Sequence, residues 1–279
     1  MTLTEAIAAT GMTPPRNIVA GRWLRFPGIG KGKANRSGWC RLITPTLAIF
    51  GDWSSGLTET WRDGSHRDDA QTTRMLREAR DRERRFAAEQ RQRQETVAIE
   101  ARRLVNEAIL SGHPYLIRKG FPARVALVRN GKLVVPVRDV SNYSRILSAQ
   151  LIDEAGEKRF LTGGKTRGGI YRIGPERAKR VVLCEGYATG LSIDAALQRL
   201  PGPHCVVVCF SARNLEWVAE RYPSACIAAD NDASRTGEES AKRTGLPWVM
   251  PPDVGTDFND LHLQRGLHAV VEILRGAHP

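Results

Sequence analysis

The stretch VVLCEGYATG, residues 181–190, decides how the C-terminal third of the chain is read. Val181 to Cys184 is a short apolar run of the kind that fills a strand buried on both faces of a sheet. Glu185 then sets a carboxylate at the strand end, and Gly186 is expected to turn the chain sharply into a helix-like run, ATGLSIDAALQRL. Ligands of open α/β sheets bind at the carboxyl ends of strands, which makes Glu185 a candidate site residue.

From Arg180 onward the rhythm is strand, helix, strand, helix. VVLC, CVVVCF, ACIAA and WVM are short apolar strands, and their spacing predicts a mostly parallel sheet. ACIAA runs into AADNDASRTG, where Asp230 and Asp232 are one residue apart at a strand end. If the first and third of these strands are neighbours, Glu185 joins them at one edge. Three crowded carboxylates repel one another and raise each other's pKa, and a hard divalent cation, Mg²⁺ or Mn²⁺, relieves that repulsion. Further on, PPDVGTDFNDLH places Asp257 and Asp260 around Asn259 near a helix start, so these two are either additional ligands or helix caps.

Upstream of Arg180, KLVVPVRD and AQLID alternate with the turn signals NGK, EAGEK and TGGKTRGG, which reads as an antiparallel sheet. Before that, residues 66–112 are dense in charge and free of Pro and Gly until Gly112, a composition that predicts a long helix. It serves either as a solvated connector or as a basic arm along DNA. The first 65 residues are rich in Gly and Trp with short alternating runs, the pattern of a small β module. There Arg22, Arg25, Lys31, Lys33, Arg36 and Arg41 lie close in sequence to Trp23, Phe26 and Trp39. Such a mixture suits single-stranded nucleic acid, with bases stacked on rings and cations on phosphates; the tryptophans serve equally well as the core of a small domain.

Length and charge bound these readings. The chain has 279 residues, enough for one large domain or two ordinary ones. Lys and Arg number 42 against 30 Asp and Glu, a net charge of +12 that favours a polyanionic partner. No apolar run approaches the roughly 18 residues of a spanning helix, and the N-terminus lacks the pattern of a secretory signal, so a cytoplasmic protein without membrane partners is expected. The five cysteines form no CxxC pair, which predicts buried thiols rather than zinc ligands or disulfides; no zinc is expected.

The acidic set, Glu185 after one strand and Asp230-x-Asp232 after another, resembles the Toprim domain of bacterial-type primases, topoisomerases and some nucleases. CEGYATG is similar to the EGYxD segment of the primases, and GTDFNDL to their later acidic segment. HPYLIRKG, KLVVPVRD, AQLIDEAGEKRFL and GGKTRGGIY look like the half-domain that precedes Toprim in phage and plasmid primases. The resemblance implies a mixed fold, α+β followed by α/β: a β-rich module over 1–65, a charged helical connector over 66–112, a primase-core subdomain over 113–179, and a Rossmann-like Toprim parallel sheet over 180–279. It implies metal ligation by Glu185, Asp230 and Asp232 with Asp257 and Asp260. Template and nucleotide phosphates would meet Arg138, Lys158, Arg159, Lys165 and Arg167, with backbone amides of GGKTRGG as an anion nest.

The implied activity is DNA primase, a nucleotidyltransferase making short RNA primers on single-stranded DNA from nucleoside triphosphates in phage, plasmid or mobile-element replication. A replicative helicase or replication initiator would be a further partner. A Toprim nuclease and a non-catalytic single-stranded DNA-binding replication protein are the alternatives. Thr189 stands where the primase motif has another acid, and Asn259 aligns with the second Asp of the later one. There is no Walker A motif, so a fused helicase is not expected.

Overall fold

A computed structural model describes residues 1–63 and 70–276. The chain divides into two compact units, Met1–Ala87 and Ala88–Pro279.

In the first unit, helix α1 (Leu3–Ala9) is capped by a reciprocal pair of hydrogen bonds between Thr2 and Glu5. Four strands follow, β1 (Trp23–Phe26), β2 (Gly38–Thr44), β3 (Leu47–Asp52) and β4 (Leu57–Arg62), forming an antiparallel sheet in chain order. Strand alternation sends Phe26, Cys40, Ala48 and Phe50 to one face, where they pack with Leu3, Ile7 and Met12. The β module expected from the Gly and Trp pattern is therefore built on that one-sided core.

Helix α2 (Ala70–Glu107) carries the charged stretch, and the division between the units falls inside it. The start expected at His66 lies outside the described residues. Its later turns bury Val97, Ala98 and Ala101, and Ala101 joins the cluster of Val134, Ile146 and Ala149. The helix stops short of the expected end: Ile109–Ser111 is a strand, β5. There the backbone pairs with a neighbouring strand, Ile109 opposite Val128 and Ser111 opposite Ala126, and that tertiary pairing overrides helix propensity.

The rest of the second unit runs α3 (Pro114–Arg118), β6 (Ala126–Arg129), β7 (Lys132–Asp139), β8 (Ile146–Ile152), β9 (Lys158–Phe160), β10 (Gly169–Ile173), β11 (Arg180–Cys184), α4 (Tyr187–Leu197), β12 (His204–Val208), α5 (Ala212–Ala219), β13 (Cys226–Ala228), α6 (Thr236–Thr244), β14 (Trp248–Val249) and α7 (Phe258–Gly276). The strands form one sheet in the order β14-β13-β11-β12-β10-β7-β6-β5, with β8 on β7 and β9 on β8. β14, β13, β11 and β12 are mutually parallel, and β10 joins them antiparallel to β12. The antiparallel and parallel regions expected separately are thus one continuous sheet, with β10 as the seam.

One apolar cluster, including Leu133, Ile152, Val206, Leu191 and Leu274, fills the face under α4 and α7; another, including Ile170, Leu183, Val207, Leu215 and Ala241, fills the face under α5 and α6. All five cysteines are free and buried, in keeping with their sequence reading. Among the described residues no helix is long and apolar enough to cross a membrane.

Helix α4 lies close on the sheet because Gly190 has no side chain. A Cβ there would come within 2.7 Å of Val208 Cγ2 and 3.4 Å of Cys184 Sγ. Gly190→Ala gains about 1 kcal/mol of helix propensity and overpacks a tight contact at a cost of about 1–3 kcal/mol. A net loss of stability is the expected outcome in urea titrations.

Candidate active site

Strands β11 and β13 are parallel neighbours, with Cys184 opposite Ala228, so Glu185 and Asp230 leave the sheet at the same edge. Chain geometry at both ends is specific. Gly186 adopts an ordinary extended conformation (φ −95°, ψ 148°) as N-cap of α4, so the sharp turn read from its sequence is not what requires glycine. Space is the requirement: a Cβ would lie 2.9 Å from Thr189 Oγ1. Next to it, Phe210 is held in the left-handed region at φ 67°, a strained state for a bulky residue, with its N–H donating to the Glu185 carbonyl at 2.8 Å. This leads the chain into α5, whose first amide, that of Ala212, donates to the Glu185 carboxylate.

The loop after β13 is pinned through the residue between its two aspartates. Asn231 N–H donates to the Thr256 carbonyl at 3.0 Å, Gly255 N–H to the Asn231 carbonyl at 2.6 Å, and the Asn231 side chain to the Pro251 carbonyl at 2.9 Å. Asp230 and Asp232 then diverge. Asp232 accepts from Ser234 Oγ and from the Thr236 and Gly237 amides at the start of α6. These bonds, Ser234 foremost, hold its carboxyl below the usual carboxylate range. Gly237 allows the close approach, since an added Cβ would collide with the Asp230 carbonyl oxygen.

Asp230 has the opposite environment. Its Oδ1 is sealed from solvent without a hydrogen-bond partner. Burial first, then the charges of Asp257 and Glu185, push its carboxyl up to about 8, against the pull of Lys158. Burial likewise raises Glu185, with Asp232 adding to it and the Ala212 amide opposing. Glu185, Asp230, Asp232 and Asp257 therefore share one electrostatic neighbourhood.

Asp257 is also the N-cap of α7. Its Oδ1 accepts from the amides of Asn259 (2.7 Å) and Asp260 (2.8 Å), while Asp260 Oδ2 accepts from the Asp257 amide at 3.2 Å. Both side chains expected as extra metal ligands therefore cap α7, because the helix begins between them. Thr189 is buried, and its Oγ1 donates to Asp257 Oδ2 at 3.0 Å, so the residue in place of a family acid orients a neighbouring one. Asn259 is buried as well: its Nδ2 donates to the Lys119 carbonyl and Ser192 Oγ, and its Oδ1 is sealed without a hydrogen-bond partner.

Of the five basic candidates, Lys158 is the one whose charge the Asp230 carboxyl feels, without an ion pair between them. β9 pairs with β8 so that Lys158 lies opposite Ile152 and Arg159 opposite Leu151. Ile152 belongs to the core beneath α4, whereas Leu151 faces the cluster beneath α2. Alternation thus sends Lys158 to the face of the carboxylates and Arg159 to the other, where it pairs with Glu157 at 2.7 Å. Although Lys158 remains exposed, desolvation of its ammonium and then Lys119 lower its pKa, while Asp257, Asp230 and Asp260 pull the other way.

The remaining three stand elsewhere. Arg138 donates to the Tyr143 carbonyl at 3.2 Å. Arg167 lies 5.8 Å over the Trp217 ring in an open groove of about 930 Å³ that none of Glu185, Asp230, Asp232 or Asp257 lines. Lys165 is exposed and forms no ion pair among the described residues. The anion nest expected in GGKTRGG is partly closed, because the amides of Gly164, Gly168 and Gly169 already donate to Leu161, Asn214 and Thr166.

Asn214, which sequence reading missed, anchors that loop. Its buried amide group accepts from the Gly168 N–H at 2.7 Å and donates to the carbonyls of Gly169 (2.8 Å) and Cys209 (2.7 Å). An isolated Asn on a helix carries no sequence signal for such a bridge.

In the first unit, Trp61 turns to the core side while Trp23, Trp39 and Trp53 stack on the opposite face. Arg25 and Arg41 share that face, opposite Trp39 and Trp23 in the β1–β2 register, and Phe26 is core. Arg36 ties its own loop by donating to the Lys33 and Asn35 carbonyls. Arg22, Lys31 and Lys33 are exposed.

Residues 180–268 match the Toprim domain family. This segment is a Toprim domain. It contains β11 to β14 and the four acids just described. Over 53% of its length the chain aligns with 65% of the primase fragment of the bacteriophage T7 primase-helicase, at 17% identity and a TM-score of 0.38. It is also similar to a chain of the T7 lagging-strand polymerase complex with primase domains bound to an RNA/DNA hybrid and dTTP (16%, TM-score 0.45, 62% and 96%). A DNA primase domain from Pseudomonas aeruginosa aligns at 16% identity with a TM-score of 0.36, over 61% and 56% of the two chains.

The Toprim acids fit a hard divalent cation in donor chemistry: all are carboxylates, and Asp230 Oδ1 lacks any partner. No group of three His, Cys, Asp or Glu residues among those described is closed around a metal-sized space. Mg²⁺ characteristically takes only one or two carboxylates and completes its shell with water and phosphate.

A raised Asp230 pKa makes a signed prediction. Above the ordinary carboxylate range the unfolded chain gives up this proton while the folded chain keeps it, so metal-free stability falls with rising pH until about 8 and then levels off. Asp230→Asn removes that fall. In thermal melts with EDTA, the variant should gain on the wild type between pH 4 and pH 8.5, by on the order of 1–2 kcal/mol after allowance for solvent screening of a half-buried group. A gap that is constant with pH would contradict the assignment.

Proposed function

We propose that the protein is a DNA primase-like nucleotidyltransferase that joins ribonucleotides on single-stranded DNA in the replication of a phage, plasmid or other mobile element. The observation that carries this reading is Lys158. A strand of the antiparallel half of the sheet turns Lys158 to the side of the carboxylates, where its charge acts on Asp230, which supports pairing an acid set for a cation with a base for phosphate.

In this reading Glu185, Asp230 and Asp232 would hold Mg²⁺ or Mn²⁺. When bound, the ion neutralises triphosphate charge and stabilises the attacking and leaving oxygens. Lys158 binds a triphosphate oxygen and balances the acids when no nucleotide is present. Asp257, oriented by Thr189 and by the first amides of α7, keeps the neighbourhood negative. The Ala212 amide holds Glu185 toward the β11 edge. Lys165, exposed and unpaired in its Gly-rich loop, is available to template phosphate. Positioning and charge stabilisation supply most of such catalysis, so a protein nucleophile is unnecessary.

The test is Mg²⁺- or Mn²⁺-dependent synthesis of short labelled RNA on mixed single-stranded templates. Asp230→Ala should lower it by about 100-fold or more, the scale of losing a transition-state charge stabiliser. Lys158→Ala should act chiefly on nucleotide KM. Labelled oligomers persisting in Asp230→Ala would sink the assignment, and metal-dependent cutting of DNA in place of synthesis would transfer the same acids to a nuclease.

The capping roles of Asp257 and Asp260, with Thr189 and Asn259 in acid positions, favour a second reading, a non-catalytic replication protein. It predicts DNA binding that is salt-sensitive yet indifferent to metal and to Asp230→Asn.

A further inference from the structure

The face of the N-terminal sheet opposite its core carries a row of three indoles. Trp23 on β1, Trp39 on β2 and Trp53 just past β3 have ring centroids 5.3 Å and 5.4 Å apart. The middle ring is 5% exposed and the outer two are 52% and 62% exposed. Trp39 is therefore seated by its neighbours, while Trp23 and Trp53 present large aromatic surfaces to solvent. The seat is built in: a Cβ at Gly51, opposite Trp39 in the β2–β3 register, would lie 2.8 Å from Trp39 Cζ2. Folding of the module does not require the outer rings to be aromatic, since its core is on the other face. Exposed aromatics clustered in this way mark an interaction surface.

The surroundings specify the partner. Arg25 lies 5.7 Å over the Trp53 ring, and Arg41 5.7 Å over the Trp23 ring. Neither forms an ion pair with an acid among the described residues, and Arg41 Nε has no hydrogen-bond partner. Residues 1–63 contain eight Lys and Arg against four Asp and Glu. Of those acids, Asp52 is buried and already accepts from the Ile29 amide and from Ser54, so it does not compete for the arginines. Arg25 spends one donor on the Arg36 carbonyl, but with no acid partner on either guanidinium, flat apolar rings beside such cations fit unstacked bases joined by phosphates.

We propose that this face is a metal-independent binding site for single-stranded DNA, with bases stacking on Trp23 and Trp53 and phosphates meeting Arg25 and Arg41. It extends the sequence expectation by replacing Trp39 with Trp53 as a stacking partner and by moving the loop residue Arg36 out of the site. The site is independent of the Toprim chemistry, and a duplex, whose base faces are already stacked, is a poor ligand for it.

The experiment measures binding of the full chain in EDTA to a short labelled oligo(dT) and to an abasic strand of the same length, by fluorescence anisotropy. EDTA silences metal chemistry, so failure of primer synthesis leaves the measurement intact. Expected are tighter binding of oligo(dT) than of the abasic strand, a loss of about tenfold or more for oligo(dT) in Trp23→Ala/Trp53→Ala, and little change for the abasic strand. Trp23→Phe/Trp53→Phe should retain most of the affinity. Arg25→Gln/Arg41→Gln should shallow the salt dependence by up to about two counterions. If the alanine variant melts early, the phenylalanine and glutamine variants carry the decision.

Equal binding of oligo(dT) by wild type and a well-folded alanine variant overturns the proposal. So does equal wild-type affinity for oligo(dT) and the abasic strand. A loss confined to sedimentation with phosphatidylserine vesicles would assign the face to a membrane surface and overturn it as well.

Discussion

Mutual repulsion among Glu185, Asp230, Asp232 and Asp257 is the constraint around which the second unit is organised. Each acid is accommodated differently. Asp232 is stabilised by hydroxyl and amide donors at α6, Asp257 by the amides of α7 and by Thr189, and Glu185 by the first amide of α5. Three helix starts therefore absorb charge at one sheet edge, where their N–H groups have no partners within their own helices. Asp230 is left over, with one oxygen sealed and unpaired, and the nearby cation is Lys158. Its raised pKa and its stability cost are two consequences of one arrangement.

Lys158 reaches that edge because the antiparallel half of the unit and the Toprim domain share a sheet. β10 runs antiparallel both to β12 and to β7, and β8 and β9 follow on β7, so the pleat of one half is in register with the other. The same alternation excludes Arg159, its immediate neighbour. A one-residue slip of β9 would exchange the two, which is why register and not composition decides which base serves the acids.

Much of this was legible beforehand. Short apolar runs ending in acids predicted parallel strands, with Glu185 and Asp230 at a common edge if the first and third were neighbours, and β11 and β13 are neighbours. The antiparallel strands and the charged helix were visible in turn signals and composition. The division of labour among acids was not. That Asp257 and Asp260 cap α7 emerged only when the helix start was located between them, and Gly186 looked like a turn residue although space beside Thr189 is what it provides. Asn214 and Asn231 were invisible because their partners are backbone atoms distant in sequence or supplied by the fold.

In the N-terminal module the same limit applies. Alternation within each strand shows that Trp23 and Arg25 share a face, but whether that face is core or solvent depends on where α1 packs. The sequence by itself determined strand and helix periodicity, charge, and the acids at strand ends, because these follow from local side-chain spacing. Only the tertiary structure decided that Lys158 faces the acids while Arg159 does not, that Asp257 caps a helix, and that Trp23 and Trp53 look outward. Those outcomes depend on register and on which surfaces are covered, and both are set by contacts between residues far apart in the chain.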